Sequence, residues 1–194
     1  MRYPKDQKQA TRQRILEAAG RRFKQDGIDG AGVAAVMSDA GLTNGAFYAH
    51  FASKDDLVAT ALADQLREQR AGLSAQAPGR AAVEQYVREY LSVQHRDHPG
   101  DGCPSAALLD EIGRCTDATK QAYTEGLLAV IDDIAARLAP DDPQSARVKT
   151  LSVFALMAGT LQLSRALAGQ QLADEVLEQG IQNALALLGG GQQR

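Results

Sequence analysis

From residue 15 onward, the apolar positions Ile15, Ala19 and Phe23 recur every four residues, with Leu16 beside them. That spacing predicts an amphipathic helix from Gln7 to Asp26 with one stripe turned inward. Gly27 predicts a left-handed end cap. Val33, Val36, Met37 and Ala40 repeat at three- and four-residue spacing, which predicts a short second helix broken by Gly41. Thr43 is placed to cap a third short helix, Asn44 to His50, with its hydroxyl; Phe47 and Phe51 are its inward anchors. Ser53 followed by Asp56 resembles a capping box, with Asp in place of Glu, and opens a fourth helix carrying Leu57, Ala61 and Asp64.

The rest of the chain also reads as helical. Pro78-Gly79 is a break. One helix is predicted from Ala81 to His95, with Val83, Tyr86, Val87, Tyr90 and Leu91 along it. The segment HRDHPGDGCP reads as a loop, with Pro104 in the first turn of a helix running to Arg114. A longer helix is predicted from Asp117 to Leu138. After the break at 139–143 come two strongly apolar helices, Gln144 to Ala168 and Leu172 to Leu188. The final Gly-Gly-Gly-Gln-Gln-Arg reads as a frayed tail. No repeat and no strand-like alternation stands out, so the expected fold is all-α: residues 1–55 as a three-helix head and 56–194 as a larger helical body.

Composition agrees with that pattern and narrows the class. The 194 residues have no Trp and are only 5% aromatic, so Leu, Ala and Val must fill the core, which favours helices over aromatic-rich sheets. No apolar run reaches the length of a membrane span, and the opening MRYPKDQKQ lacks an apolar signal segment, so the expected setting is the cytoplasm, with no membrane partner. Two cysteines do not make a disulfide scaffold.

Charge changes the picture more. The net charge is -3, but residues 1–24 carry +6 and residues 58–194 carry -5. A basic head on an acidic body suits a polyanion partner; the same charges also suit a solvated first helix. Two short helices joined by a Gly-containing turn form a helix-turn-helix, whose second helix turns Thr43, Asn44, Ala46, Ala49 and His50 outward as a groove-reading surface.

TRQRILEAAGRRFKQDG and GLTNGAFYAHFASKDDLVATAL then carry a specific likeness. Gly41, Leu42, Thr43, Gly45, Phe47, Tyr48, His50 and Phe51 follow the recognition-helix pattern of the TetR/AcrR family of bacterial transcriptional regulators, usually repressors, and Lys54-Asp55-Asp56-Leu57 follows its continuation. The chain resembles that family over residues 11–62; beyond them the resemblance rests on length and an all-helical layout. The resemblance implies that Thr43, Asn44, Ala46 and Ala49 face base edges while Tyr48, His50 and Lys54 contact phosphates. The family's Thr-Ser/Thr pair before the second helix is replaced by Ala31-Gly32. Gly caps nearly as well, but a hydroxyl contact to DNA is lost. Gly30, Gly32, Asn44 and Ala49 leave a sparse surface, suited to reading by shape and water.

A single short recognition helix covers too few base pairs, so a homodimer spanning a palindromic double-stranded operator is expected. The candidate interface is Leu151, Ala155, Ala158, Gly159 and Leu163 on one helix, with Leu172, Val176, Ile181, Leu185 and Leu188 on the next; these stripes would also suit the chain's own core. The resemblance implies a pocket for a small-molecule effector in the body. Candidate linings are Tyr86, Tyr90, Leu108, Ile112, Tyr123, Leu127, Phe154 and Leu161, each of which also suits ordinary core. The scarcity of charge there favours a small, mostly apolar or aromatic effector whose occupation releases DNA.

Cys103 precedes Pro104 at a helix start, where unpaired amides favour a thiolate, so it is the candidate redox or electrophile sensor; it would equally serve as a small buried residue. If Cys115 lies on the same continuous helix it is too far along for an intrachain disulfide, so a sensing disulfide would link two subunits or Cys103 would act alone. His95, His98, Asp101 and Cys103 have a spacing that a zinc ion could use, but it matches none of the stronger metal patterns, and no metal or cofactor is expected. No catalytic constellation or phosphate-binding loop stands out. The competing class, an enzyme or helical interaction module, is separated by salt-sensitive binding to a palindrome.

Overall fold

A computed structural model describes residues 5–76 and 78–189; residues 190–194, most of the tail read as frayed, lie outside the described residues. Among the described residues nine α-helices follow in order: α1 Lys5–Asp26, α2 Val33–Asp39, α3 Lys54–Ala75, α4 Arg80–Tyr90, α5 Val93–Asp97, α6 Ser105–Arg114, α7 Asp117–Leu138, α8 Pro143–Ala166 and α9 Gln170–Gly189. Two 3₁₀ segments, Asn44–Ala49 and Pro99–Asp101, complete the order, and no strand occurs among the described residues. The all-α expectation holds.

The head forms as its apolar pattern dictates. Ile15, Leu16, Ala19 and Phe23 of α1 bury against Val36 and Met37 of α2, Phe47 and Phe51, and the first half of α3. Gly27 ends α1 with φ +81° and Gly41 ends α2 with φ +69°, a region that residues with a Cβ rarely adopt. Ala31 is itself core, and Gly32 is the α2 N-cap without a side-chain bond. Ser53 Oγ accepts the Asp56 amide at 3.1 Å, as a capping box requires. The Asp56 carboxylate turns back to the Ala52 amide, 2.9 Å away, one residue earlier than in the standard box.

Three local expectations are corrected. The third helix is 3₁₀, and Thr43, although at its N-cap, makes no side-chain cap bond. The helix expected over 81–95 is two helices. Ser92 Oγ accepts the His95 amide at 3.1 Å and starts α5, so the Ser92 hydroxyl competes with the continuing helix. Pro104 is the N-cap of α6 rather than inside its first turn.

Two buried clusters run through the molecule. The head cluster takes in α3 as far as Leu66, together with Leu108, Ile112 and Tyr123 from α6 and α7. The body cluster gathers Leu73, Tyr86, Tyr90, Cys103, Val130, Phe154, Leu161 and the inner face of α9. Half-buried Leu127 packs against both. α3 lies along α7, and α8 packs on α7 and α9.

Candidate nucleic-acid interface and effector cleft

The turn from Gly41 to Ala52 presents a small outward surface. Phe47 and Phe51 stack at 5.8 Å in the core, which fixes the segment from inside. Thr43, Asn44 and Ala49 are exposed, and Tyr48 is 79% exposed with its ring edge-on to Phe47 at 5.1 Å. Ala46 is half-buried and packs against the head cluster, so a methyl group expected at a base edge is largely committed to the core. Lys54 opens α3, its Nζ 3.4 Å from the Asp29 carbonyl.

The basic residues of α1 divide by task. Arg12 lies with its guanidinium 4.0 Å from the Phe51 ring centroid, and it donates to the His50 carbonyl and to Thr60 Oγ1. It therefore ties α1 to the outward turn and to α3. Arg22 is held by Asp39 and Asp26. Lys8 and Arg14 stand exposed. His50 is half-buried; burial, then the Lys8 and Arg12 cations, lower its pKa, so at neutral pH it brings an uncharged imidazole to the surface.

The interface residues expected on α8 and α9 fall on two faces. Ala155, Gly159, Leu163 (54% exposed) and Leu172 (52% exposed) face outward, and Val176 is half-buried. Exposed Val148 and Leu187 extend the apolar surface of these helices. Ala158, Ile181 and Leu188 are buried in the chain's own core, and Leu151 and Leu185 pack against it. Both helices are apolar on two sides, and spacing alone does not say which side faces home.

The expected effector residues divide between the two buried clusters. Leu108, Ile112 and Tyr123 belong to the head cluster, while Tyr86, Tyr90, Phe154 and Leu161 belong to the body cluster. Burial raises the pKa of all three tyrosines, Tyr123 to about 12. Tyr86 Oη accepts from Gln69 Nε2 at 2.5 Å, and Tyr123 Oη pairs with Ser105 Oγ at 2.8 Å. Tyr90 Oη is buried without a hydrogen-bond partner, although the Cys103 thiol neighbours it.

Tyr90 and Cys103 meet at a cleft of about 300 Å³ between α1, α3 and the loop before α6. Lys24 closes it from the head, donating from Nζ to the Gly102 carbonyl at 2.7 Å. Burial lowers the Lys24 pKa to about 8, against the opposing pull of Cys103, Asp101 and Glu68. His95 is fully committed: Nδ1 lies 2.7 Å from the Tyr90 carbonyl and so carries the proton, while Nε2 accepts the Cys103 amide at 2.9 Å. Burial lowers its pKa to about 4. Arg165 of α8 clamps the same loop, donating to the carbonyls of Arg96 (3.0 Å), Ala106 (2.7 Å) and His95 (2.7 Å). Lys24, Gln69 and Arg165 were not expected here, because no sequence spacing marks a lysine of the head as the neighbour of a loop some eighty residues away; the sequence places His95 beside Cys103 only as a candidate metal ligand. Among the described residues no group of three or more His, Cys, Asp or Glu side chains is arranged to hold a metal ion. Nor is any helix there long and apolar enough to cross a membrane.

Comparison with known proteins gives these parts a context. Residues 15–61 match the family described as bacterial regulatory proteins, tetR family. The chain is 43% identical over 53 residues to the HTH-type transcriptional regulator AcrR of Shigella flexneri, covering 27% of this chain and 25% of AcrR. It is 43% identical over 68 residues to the HTH-type transcriptional regulator TtgR of Pseudomonas putida, covering 35% of this chain and 32% of TtgR. The matched segment thus spans between a quarter and a third of these relatives. In three dimensions the likeness extends further: the crystal structure of reduced NemR from E. coli superposes with TM-score 0.74 at 19% identity, covering 90% of this chain and 95% of that one. That identity carries the fold alone, and with it a helical body behind a helix-turn-helix head.

Proposed function

We propose that this chain, whose residues 15–61 match the tetR family of bacterial regulatory proteins, is a cytoplasmic, homodimeric transcriptional repressor of a palindromic operator. Residues 1–55 form its DNA-binding head and residues 56–194 its effector-binding and dimerisation body. Thr43, Asn44 and Ala49 face base edges, and Tyr48, His50 and Lys54 meet the flanking phosphates. The observation that carries this reading is the outward turn: Phe47 and Phe51 are locked inside by stacking, while Thr43, Asn44, Tyr48 and Ala49 are left bare. The bare faces of α8 and α9 supply the dimer contact, which sets two heads about one duplex turn apart. A small effector in the body alters that separation and releases the operator.

The test is selection from a random duplex pool by the full-length protein. Enrichment of an inverted repeat with half-site centres about 34 Å apart is expected; recovery of no common sequence overturns the reading. For the trigger, a second reading is favoured by the unpartnered Tyr90 hydroxyl beside Cys103: release begins at that thiol rather than by reversible filling of an apolar pocket.

A further inference from the structure

We propose that the cleft between α1 and the loop before α6 is a covalent acceptor site for small α,β-unsaturated carbonyl compounds, with Cys103 as nucleophile, Lys24 as base and Tyr90 as hydrogen-bond donor to the carbonyl. This rests on the reading of the chain as a DNA-binding regulator triggered at Cys103.

Geometry assigns the three roles. Tyr90 is 4% exposed and, alone of the three body tyrosines described above, has no oxygen or nitrogen partner for its hydroxyl, whose neighbour is the weakly bonding Cys103 thiol. A buried hydroxyl left unpaired costs about 1–3 kcal/mol, and a carbonyl oxygen entering the cleft would satisfy it. Lys24 bonds the carbonyl of the residue immediately before Cys103, so its amine sits at the mouth of the same cleft. It faces Cys103 and Asp101 from the loop, Glu68 from α3, Arg21 from its own helix and neutral His95 from α5. With a pKa near 8, a share of that amine is uncharged at neutral pH and can take a thiol proton. His95 is excluded as the base because both ring nitrogens are engaged; it is a positioning residue that fixes the Cys103 backbone. The other thiol makes the contrast. Cys115 sits near Asp55, Asp29 and Glu111, and burial and then these acids raise its pKa, which disfavours the nucleophilic thiolate.

The step balances without an oxidant. The Cys103 thiol gives its proton to the Lys24 amine. The sulfur electron pair forms a C–S bond at the β-carbon, and the alkene π pair moves through the conjugated system to the carbonyl oxygen. Tyr90 holds that enolate, and the Lys24 ammonium returns the proton to the α-carbon. The adduct then occupies the space that Lys24 uses to reach Gly102, and the head loses that one of its ties to the body.

The test uses the full-length Cys115→Ser protein, intact-mass spectrometry and methyl vinyl ketone over a range of about pH 6 to 9. Expected is a single adduct on Cys103, formed about tenfold or more faster than on N-acetylcysteine at the same pH. Lys24→Gln should slow it about tenfold and move its rise to higher pH, whereas Tyr90→Phe should slow it with the pH profile unmoved. A Cys103 rate no greater than that of the free thiol overturns the proposal, and this comparison needs no variant at Lys24 or Tyr90. So does a rate and profile indifferent to Lys24→Gln. The adducted protein should bind a selected duplex about tenfold more weakly, and unchanged binding overturns the proposal as well. Protein that adds the enone with Lys24 dependence but selects no duplex overturns the regulator reading and leaves the site chemistry standing.

Discussion

Gly102 has no room for a side chain. A Cβ there would lie 2.2 Å from His95 Nε2, and that ring cannot swing aside without losing its bonds to Tyr90 and Cys103. Gly102→Ala is therefore expected to cost about 1–3 kcal/mol, read as a fall in the urea midpoint. His95 itself predicts a pH dependence. Its pKa falls from 6.5 to about 4 on folding, so between those values the unfolded chain binds the extra proton. Stability should drop as pH is lowered through that window, by no more than about 3 kcal/mol from this residue, and His95→Gln should flatten the slope. Little of this was legible in the sequence. A loop of His, Pro, Gly and Cys suggested a lone sensor thiol; it did not show that a lysine from the head, an arginine from α8 and Tyr90 meet there.

At the level of elements, the pattern of apolar residues located most helices, because long amphipathic stripes have only one way to bury. α7 was placed at its observed ends, Asp117 and Leu138, since Thr116 caps it and a proline-rich break follows. Short elements were less legible. Six residues from Asn44 to Ala49 cannot reveal whether their bonds span three residues or four, and Ser92 redirects a helix whose apolar spacing continues past it. The N-terminus of α3 gives a clean test. Ser53→Ala removes the bond to the Asp56 amide and should cost about 1 kcal/mol in denaturant unfolding. DNA affinity should then weaken without a change in salt dependence. Lys54→Ala, one residue on, should instead weaken binding across all sequences and reduce the salt slope by about one. Arg12→Met belongs with Ser53: its guanidinium is spent on Phe51, His50 and Thr60, so affinity should fall through misplacement of the turn with the slope nearly kept.

Across the whole molecule, charge is segregated and so is burial. The positive end of the chain meets the outside at α1, while the long helices of the acidic body keep one apolar face bare. Of the residues the sequence marked for association, Ala155, Gly159, Leu163 and Leu172 are exposed, whereas Ala158, Ile181 and Leu188 sit on the sides turned inward. The double variant Ala155→Glu with Leu163→Glu places like charges on the bare face and leaves those buried neighbours alone. It should sediment as a folded monomer and lose most of its affinity for a two-half-site duplex.

Beyond the Lys24–Gly102 bond, a second bond joins head to body. The Ile28 amide, just past the end of α1, donates to the Glu111 carboxylate of α6 at 2.7 Å. With the Lys24–Gly102 bond, it ties the end of α1 both to the loop before α6 and to α6 itself. An amide sealed by a carboxylate exchanges with solvent only when the seal opens. The hydrogen-exchange rate at Ile28 is thus a clock for head movement that requires neither DNA nor effector, and alkylation at Cys103 should make it run faster.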